Sequence, residues 1–183
     1  MNSRHVRVAA ALVSGLVVAG TLGTLASANE GGGSPSRSSE LRISERLSGY
    51  EETPLALSTP GNGRFRAVVD TGAREIRWTL RFADTETTVT QAHIHFGSPS
   101  QSGGISAFLC TNLGNGPAGT QACPAEGAIS GTIRPADVLG PTAQSLAPGD
   151  FRAFVDAIRA ESTYVNVHTT GFPTGEIRGH IDH

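Results

Sequence analysis

Two imidazoles two residues apart, His93 and His95 in Val89-Thr-Gln-Ala-His-Ile-His-Phe96, are the side chains of this sequence best placed to do chemistry. Residues i and i+2 of a β-strand share a face, so both rings point the same way, together with Val89 and Gln91. Ala92, Ile94 and Phe96 point the other way and supply core contacts, which leaves the histidines on the wetter face. A second alternating run, Tyr164-Val-Asn-Val-His168, sends Val165 and Val167 to one side and Tyr164, Asn166 and His168 to the other. If the two runs are neighbours, three imidazoles converge on one outer patch. Such a set can hold one Cu or Zn ion with a position open to solvent.

Around that set, Asn166 is placed to orient a ligand or a bound water. His180 offers a fourth nitrogen, because Glu176, Arg178 and His180 alternate on one face, with Ile177 and Ile181 on the other. Arg178 is then positioned to attract an anion such as superoxide. Two readings compete with a metal site. One is a polar network in which the imidazoles pair with Asn166, Glu176 or Thr169 and hold the strands in register. The other is a binding surface without metal. Glu51 and Glu52 are adjacent on a strand-like segment and face opposite ways, which argues against shared acid–base work. They are expected to anchor backbone or pair an arginine. Gly31 to Gly33 follow no strand and make no phosphate-binding loop.

The 183 residues divide unevenly. Arg4 and Arg7 precede an apolar stretch from Val8 to Ala19 and a small-residue end, Ala26-Ser27-Ala28. This order defines a secretory signal peptide over residues 1–28, cleaved after Ala28. A membrane span needs about 20 apolar residues, more than this stretch provides. Residues 29–40 are rich in Gly and Ser and read as a flexible linker, leaving residues 41–183 as one domain. The leader holds two of the 14 basic residues and no acid, so against 16 acids the mature chain carries −4. That charge gives no footprint for nucleic acid or for an anionic membrane surface. The expected location is extracellular, with a protein partner possible there. In that compartment Cys110 and Cys123 are expected to form a disulfide across a Gly-rich loop, worth roughly 3 kcal/mol.

Short alternating runs separated by Gly, Pro, Asn and Asp predict an all-β, antiparallel sandwich. The predicted strands are Leu41 to Leu47, Gly63 to Asp70, Glu75 to Phe82, Val89 to Phe96, Gly104 to Cys110, Ala128 to Ile133, Thr163 to His168 and Glu176 to Ile181. Asp70-Thr-Gly-Ala73 reads as a hairpin turn. Phe151, Phe154, Val155 and Ile158 recur at steps of three and four. They predict one short amphipathic helix that starts near Pro148 or Asp150 and lays its Phe face over an open end of the sandwich.

Four segments together resemble the CHRD domain, the module named after chordin: Leu47-Ser-Gly-Tyr-Glu-Glu-Thr-Pro54, Ala92-His-Ile-His-Phe-Gly97, Tyr164-Val-Asn-Val-His-Thr169 and Pro173-Thr-Gly-Glu-Ile-Arg-Gly179. The likeness runs from about Leu41 to Ile181. In that family an amide side chain usually follows Ile-Arg-Gly, where this chain has His180. The resemblance implies an extracellular immunoglobulin-like or superoxide-dismutase-like β-sandwich of poorly defined activity. Most bacterial members stand alone. Chordin-type cysteine-rich repeats are missing from this sequence, so growth-factor binding is not carried over. The His-x-His pair and the distant Val-His are also similar to copper ligands of Cu/Zn superoxide dismutases. Between His95 and Cys110 no His or Asp is present to form a zinc loop. Dismutase-like activity would therefore require a zinc-free copper site.

Overall fold

The computed structural model describes residues 40–183, so the proposed leader and all of the linker except Glu40 lie outside the described residues. The eight strands are β1 (Leu41–Ser48), β2 (Asn62–Asp70), β3 (Glu75–Ala83), β4 (Val89–Phe96), β5 (Gly104–Thr111), β6 (Gly127–Ile133), β7 (Thr163–Thr169) and β8 (Ile177–His180). They form one antiparallel sheet in the order β5-β4-β7-β8-β1-β2-β3-β6. The all-β expectation holds, with the sheet rolled until it nearly closes on itself. At the open seam, the Gln121 amide donates to Leu109 O of β5 and to Ser130 O of β6, bridging the two edge strands. The Cys110–Cys123 disulfide ties the same loop to β5.

Alternation decides what faces inward. On β3 every second residue is buried, namely Ile76, Trp78, Leu80 and Phe82, and the residues between them are outside. Phe65, Val69, Ile94, Val165, Val167 and Ile177 from the neighbouring strands complete the core. The turn after β2 is fixed by Asp70, whose Oδ1 accepts from the Ala73 N–H at 2.8 Å. That contact satisfies a backbone donor inside the turn.

The helix α1 (Phe151–Arg159) begins at Asp150, whose side chain accepts from the Ala153 N–H at 3.0 Å. This N-cap occupies a donor that the helix cannot bond internally. Phe151, Phe154, Val155 and Ile158 are all buried in the same core. Each such side chain contributes about 1.5–3 kcal/mol by leaving water.

Candidate metal centre

The three imidazoles arise from two paired strands. In the β4–β7 ladder His93 lies opposite Asn166, His95 opposite Tyr164 and Gln91 opposite His168. With a side-chain period of two, His93, His95 and His168 therefore project from the same outer face of the sheet. The β4–β5 pairing slips twice, between Ala92 and His93 and again between Ile94 and His95. Bulges of this kind re-aim the side chains beside them. Here they leave Phe108 opposite His93, the two rings edge to face at 4.3 Å.

One nitrogen from each of His93, His95 and His168 lies within 4.8 Å of the others. Around a single Cu or Zn ion, nitrogens at about 2.0–2.1 Å from the metal sit closer together than that. Loading an ion therefore needs a small rotation of the rings.

Hydrogen bonding fixes which nitrogens are available. His95 Nδ1 donates to Gly103 O at 3.0 Å, and His168 Nδ1 donates to Pro173 O at 3.0 Å. A carbonyl only accepts, so both rings carry the proton on Nδ1 and have their lone pair on Nε2. His168 Nε2 in turn accepts from His93 Nδ1 at 3.2 Å, which leaves the lone pair of His93 on Nε2 as well. The Nε2 atoms of His93 and His95 are buried without any partner. Metal-ligating histidines show this pattern: the far nitrogen is tied to a carbonyl, fixing tautomer and ring orientation.

The alternation argument expected a wetter face here, and the structure corrects it. His93 is fully buried, and His95 and His168 are only 7% and 6% exposed. Residues 49–57 and 97–103 supply contacts that cover this part of the outer face. The segment 97–103 is held down by Arg178, whose Nη2 donates to the carbonyls of Ser98, Pro99 and Gln101 at 3.0–3.2 Å. Nη1 of Arg178 donates to the Thr53 hydroxyl. The guanidinium also lies over the Tyr164 ring, 3.5 Å from its centre, and that ring stacks on His95 with centres 4.8 Å apart. Tyr164 Oη accepts from the Gly103 N–H at 3.0 Å, steadying the carbonyl that orients His95. Arg178 thus anchors the cover and does not present a free charge to an anion.

Burial sets the electrostatics. The His93 ring is pushed down to about 2 by burial, with His168 and His95 adding to the effect. Burial also lowers His95 to about 4 and lowers His168. All three are therefore neutral at physiological pH, the form a metal ligand needs. Burial lifts the Glu52 carboxyl to about 7.

The remaining expected site residues are placed differently. Asn166 donates to Glu52 Oε1 and to Ile177 O, so its amide supports the cover. Glu176 accepts from the Thr169 hydroxyl at 2.8 Å and from the Glu86 N–H at 2.7 Å, with no contact to an imidazole. His180 sits opposite Tyr164 across β7–β8 and is not one of the three clustered histidines. Sequence reasoning places the Phe residues of the strands in the core, whereas Phe108 is only half-buried and lies against His93. It also gives Tyr164 no role, although its alternation with Asn166 and His168 shows the shared face. The two orienting carbonyls, at Gly103 and Pro173, have no side-chain signature.

Among the described residues no helix is long and apolar enough to cross a membrane. No curated protein matches this chain, and no solved structure does. The profile described as the CHRD domain matches residues 43–181, which include all three clustered histidines and the arginine that closes their cover. This chain belongs to the CHRD domain family.

Proposed function

We propose that this protein is a secreted CHRD-type binding module whose His93, His95 and His168 bind one Cu or Zn ion. The observation that carries the reading is that the three imidazoles bring one nitrogen each within 4.8 Å of the others, with two of the rings oriented by backbone carbonyls and the buried Nε2 atoms of His93 and His95 left without a partner. A network built only to hold strands in register would satisfy those nitrogens, because an unpaired buried acceptor costs about 1–3 kcal/mol. An ion in the same place satisfies them. Export is supported by the basic, apolar and small-residue order of the first 28 residues. Dismutase-like anion steering is not carried forward, because the Arg178 guanidinium is engaged by three carbonyls and a hydroxyl.

Elemental analysis of untagged protein from a metal-replete host tests the reading. The expected content is about one Cu or Zn per chain, falling to background in His93→Ala with His95→Ala. His168→Ala, which removes the third ring alone, serves as a second variant if the double one does not fold. Unchanged metal content in a folded variant, or none in the parent, ends the idea.

A further inference from the structure

The outer face of the sheet carries a second polar surface, independent of the histidines. Alternation places Arg42, Ser44 and Arg46 of β1, Arg64 and Arg66 of β2, and Arg77, Thr79 and Arg81 of β3 on that face. The register then sets Arg46, Arg64 and Arg81 directly opposite one another across three adjacent strands. Neighbouring strands are about 4.8 Å apart, and like charges directly opposite destabilise a sheet.

Some arginines of this face have countercharges. Arg42 pairs with Glu40, and Arg77 pairs with Glu40 and Glu75. Arg46, Arg64, Arg66 and Arg81 form no ion pair among the described residues. Arg64 donates only to the Ser44 hydroxyl, at 3.2 Å. These four arginines line one groove of about 1100 Å³. Glu51 and Glu126 also line it, too few to neutralise four guanidinium groups.

We propose that this groove binds an acidic polysaccharide, an extended glycan carrying carboxylates at regular intervals. Guanidinium forks match carboxylates two bonds at a time, and the row presents one fork per strand. Asn62 and Ser48, also in the groove, offer hydrogen bonds suited to sugar hydroxyls. The exposed large apolar side chains, Tyr50, Leu55 and Leu113, all lie outside it. Leu47 and Phe82, which also line the groove, are buried, so it presents no exposed aromatic platform for unstacked bases and no wedge for a lipid surface.

The test uses polygalacturonate as the probe and neutral dextran as the control, by calorimetry at about 50 and about 200 mM NaCl. The expected result is binding of polygalacturonate alone, at least about tenfold weaker at the higher salt. Arg64→Gln with Arg81→Gln is expected to weaken it by at least about tenfold, with the thermal midpoint unchanged or raised. Arg152→Gln with Arg159→Gln on α1 removes the same charge elsewhere and is expected to leave binding intact. If the paired groove variant does not fold, Arg46→Gln gives the same readout at smaller amplitude. Equal binding by the groove and helix variants overturns the proposal. So does no binding at low salt, or tighter binding to single-stranded DNA or phosphatidylglycerol vesicles.

Discussion

The outer face of this one sheet is handled in two opposite ways. Over β4, β7 and β8 it is covered, and its polar side chains lie in a dry layer where Arg178, Asn166 and Tyr164 are hydrogen-bonded and the Nε2 atoms of His93 and His95 are not. Over β1, β2 and β3 it is bare, and arginines stand opposite one another with water as their main company. Arg178 and Arg81 show the contrast within one residue type. Arg178 is 2% exposed and satisfies carbonyls of the covering segment. Arg81 is exposed and carries no ion pair among the described residues. Burial turns a guanidinium into a structural bolt, and exposure leaves it available to a ligand. The same contrast explains the imidazoles: under the cover, an unpartnered ring nitrogen is costly, so its presence calls for an explanation.

The largest expected effect separates these two arginines. Arg178→Ala removes a buried guanidinium that holds the Ser98, Pro99 and Gln101 carbonyls, and is expected to cost about 3 kcal/mol in urea unfolding. Arg81→Gln is expected to stay within about 0.5 kcal/mol of the parent. Equal losses would erase the distinction between the faces. Next, Asn166→Ala takes the amide donor from the buried Glu52 carboxyl and is expected to cost about 1–3 kcal/mol in the same measurement.

The pH dependence of the metal-free protein sharpens the comparison further. The histidines bind protons more weakly folded than unfolded, from their ordinary 6.5 down to about 4 for His95 and about 2 for His93. Their contribution is complete above pH 6.5 and is lost as pH falls below it. Glu52 works in the opposite sense: its folded value of about 7 exceeds the unfolded 4.5, so its contribution fades as pH rises between those values. Because the histidines outnumber the one opposing carboxyl, denaturation midpoints should fall as pH drops below about 6.5, and fall somewhat faster below about 4.5, where Glu52 no longer opposes them. Glu52→Gln removes the opposing contribution and should steepen the rise between about 4.5 and 6.5. A steep loss of stability on the alkaline side of 7 would contradict these assignments. The smallest effect lies on the bare face, where Arg64→Gln should raise stability by a few tenths of a kcal/mol at low salt, a gain that disappears at about 1 M.

Much of this architecture is written locally. The run Val89–Phe96 is a strand over the same eight residues in both readings, because alternation and flanking turns both mark it. The helix likewise starts where Asp150 can cap it. Alternation also shows that His93, His95 and His168 share a face if their strands pair. It cannot show what lies on that face. The covering residues 49–57 and 97–103 have no periodicity, and the carbonyls of Gly103 and Pro173 are backbone atoms whose aim is a tertiary property. The bulges in the β4–β5 ladder, which decide that Phe108 meets His93, are equally invisible. For the arginine row, each residue is plainly outward on its own strand. Only the register of β1 on β2 and β2 on β3 sets them side by side.

The central claim is that carbonyls hold His95 and His168 as Nδ1–H tautomers whose Nε2 lone pairs take up one ion, that of His168 in exchange for the His93 N–H. Long-range proton–nitrogen NMR of the imidazoles, in metal-free protein and with one equivalent of Zn, tests it most directly. The account predicts Nδ1–H tautomers for both rings, with Nε2 signals of His95 and His168 shifting on Zn addition while Nδ1 stays protonated. Nε2–H tautomers in the metal-free protein, or spectra that ignore Zn, would contradict it.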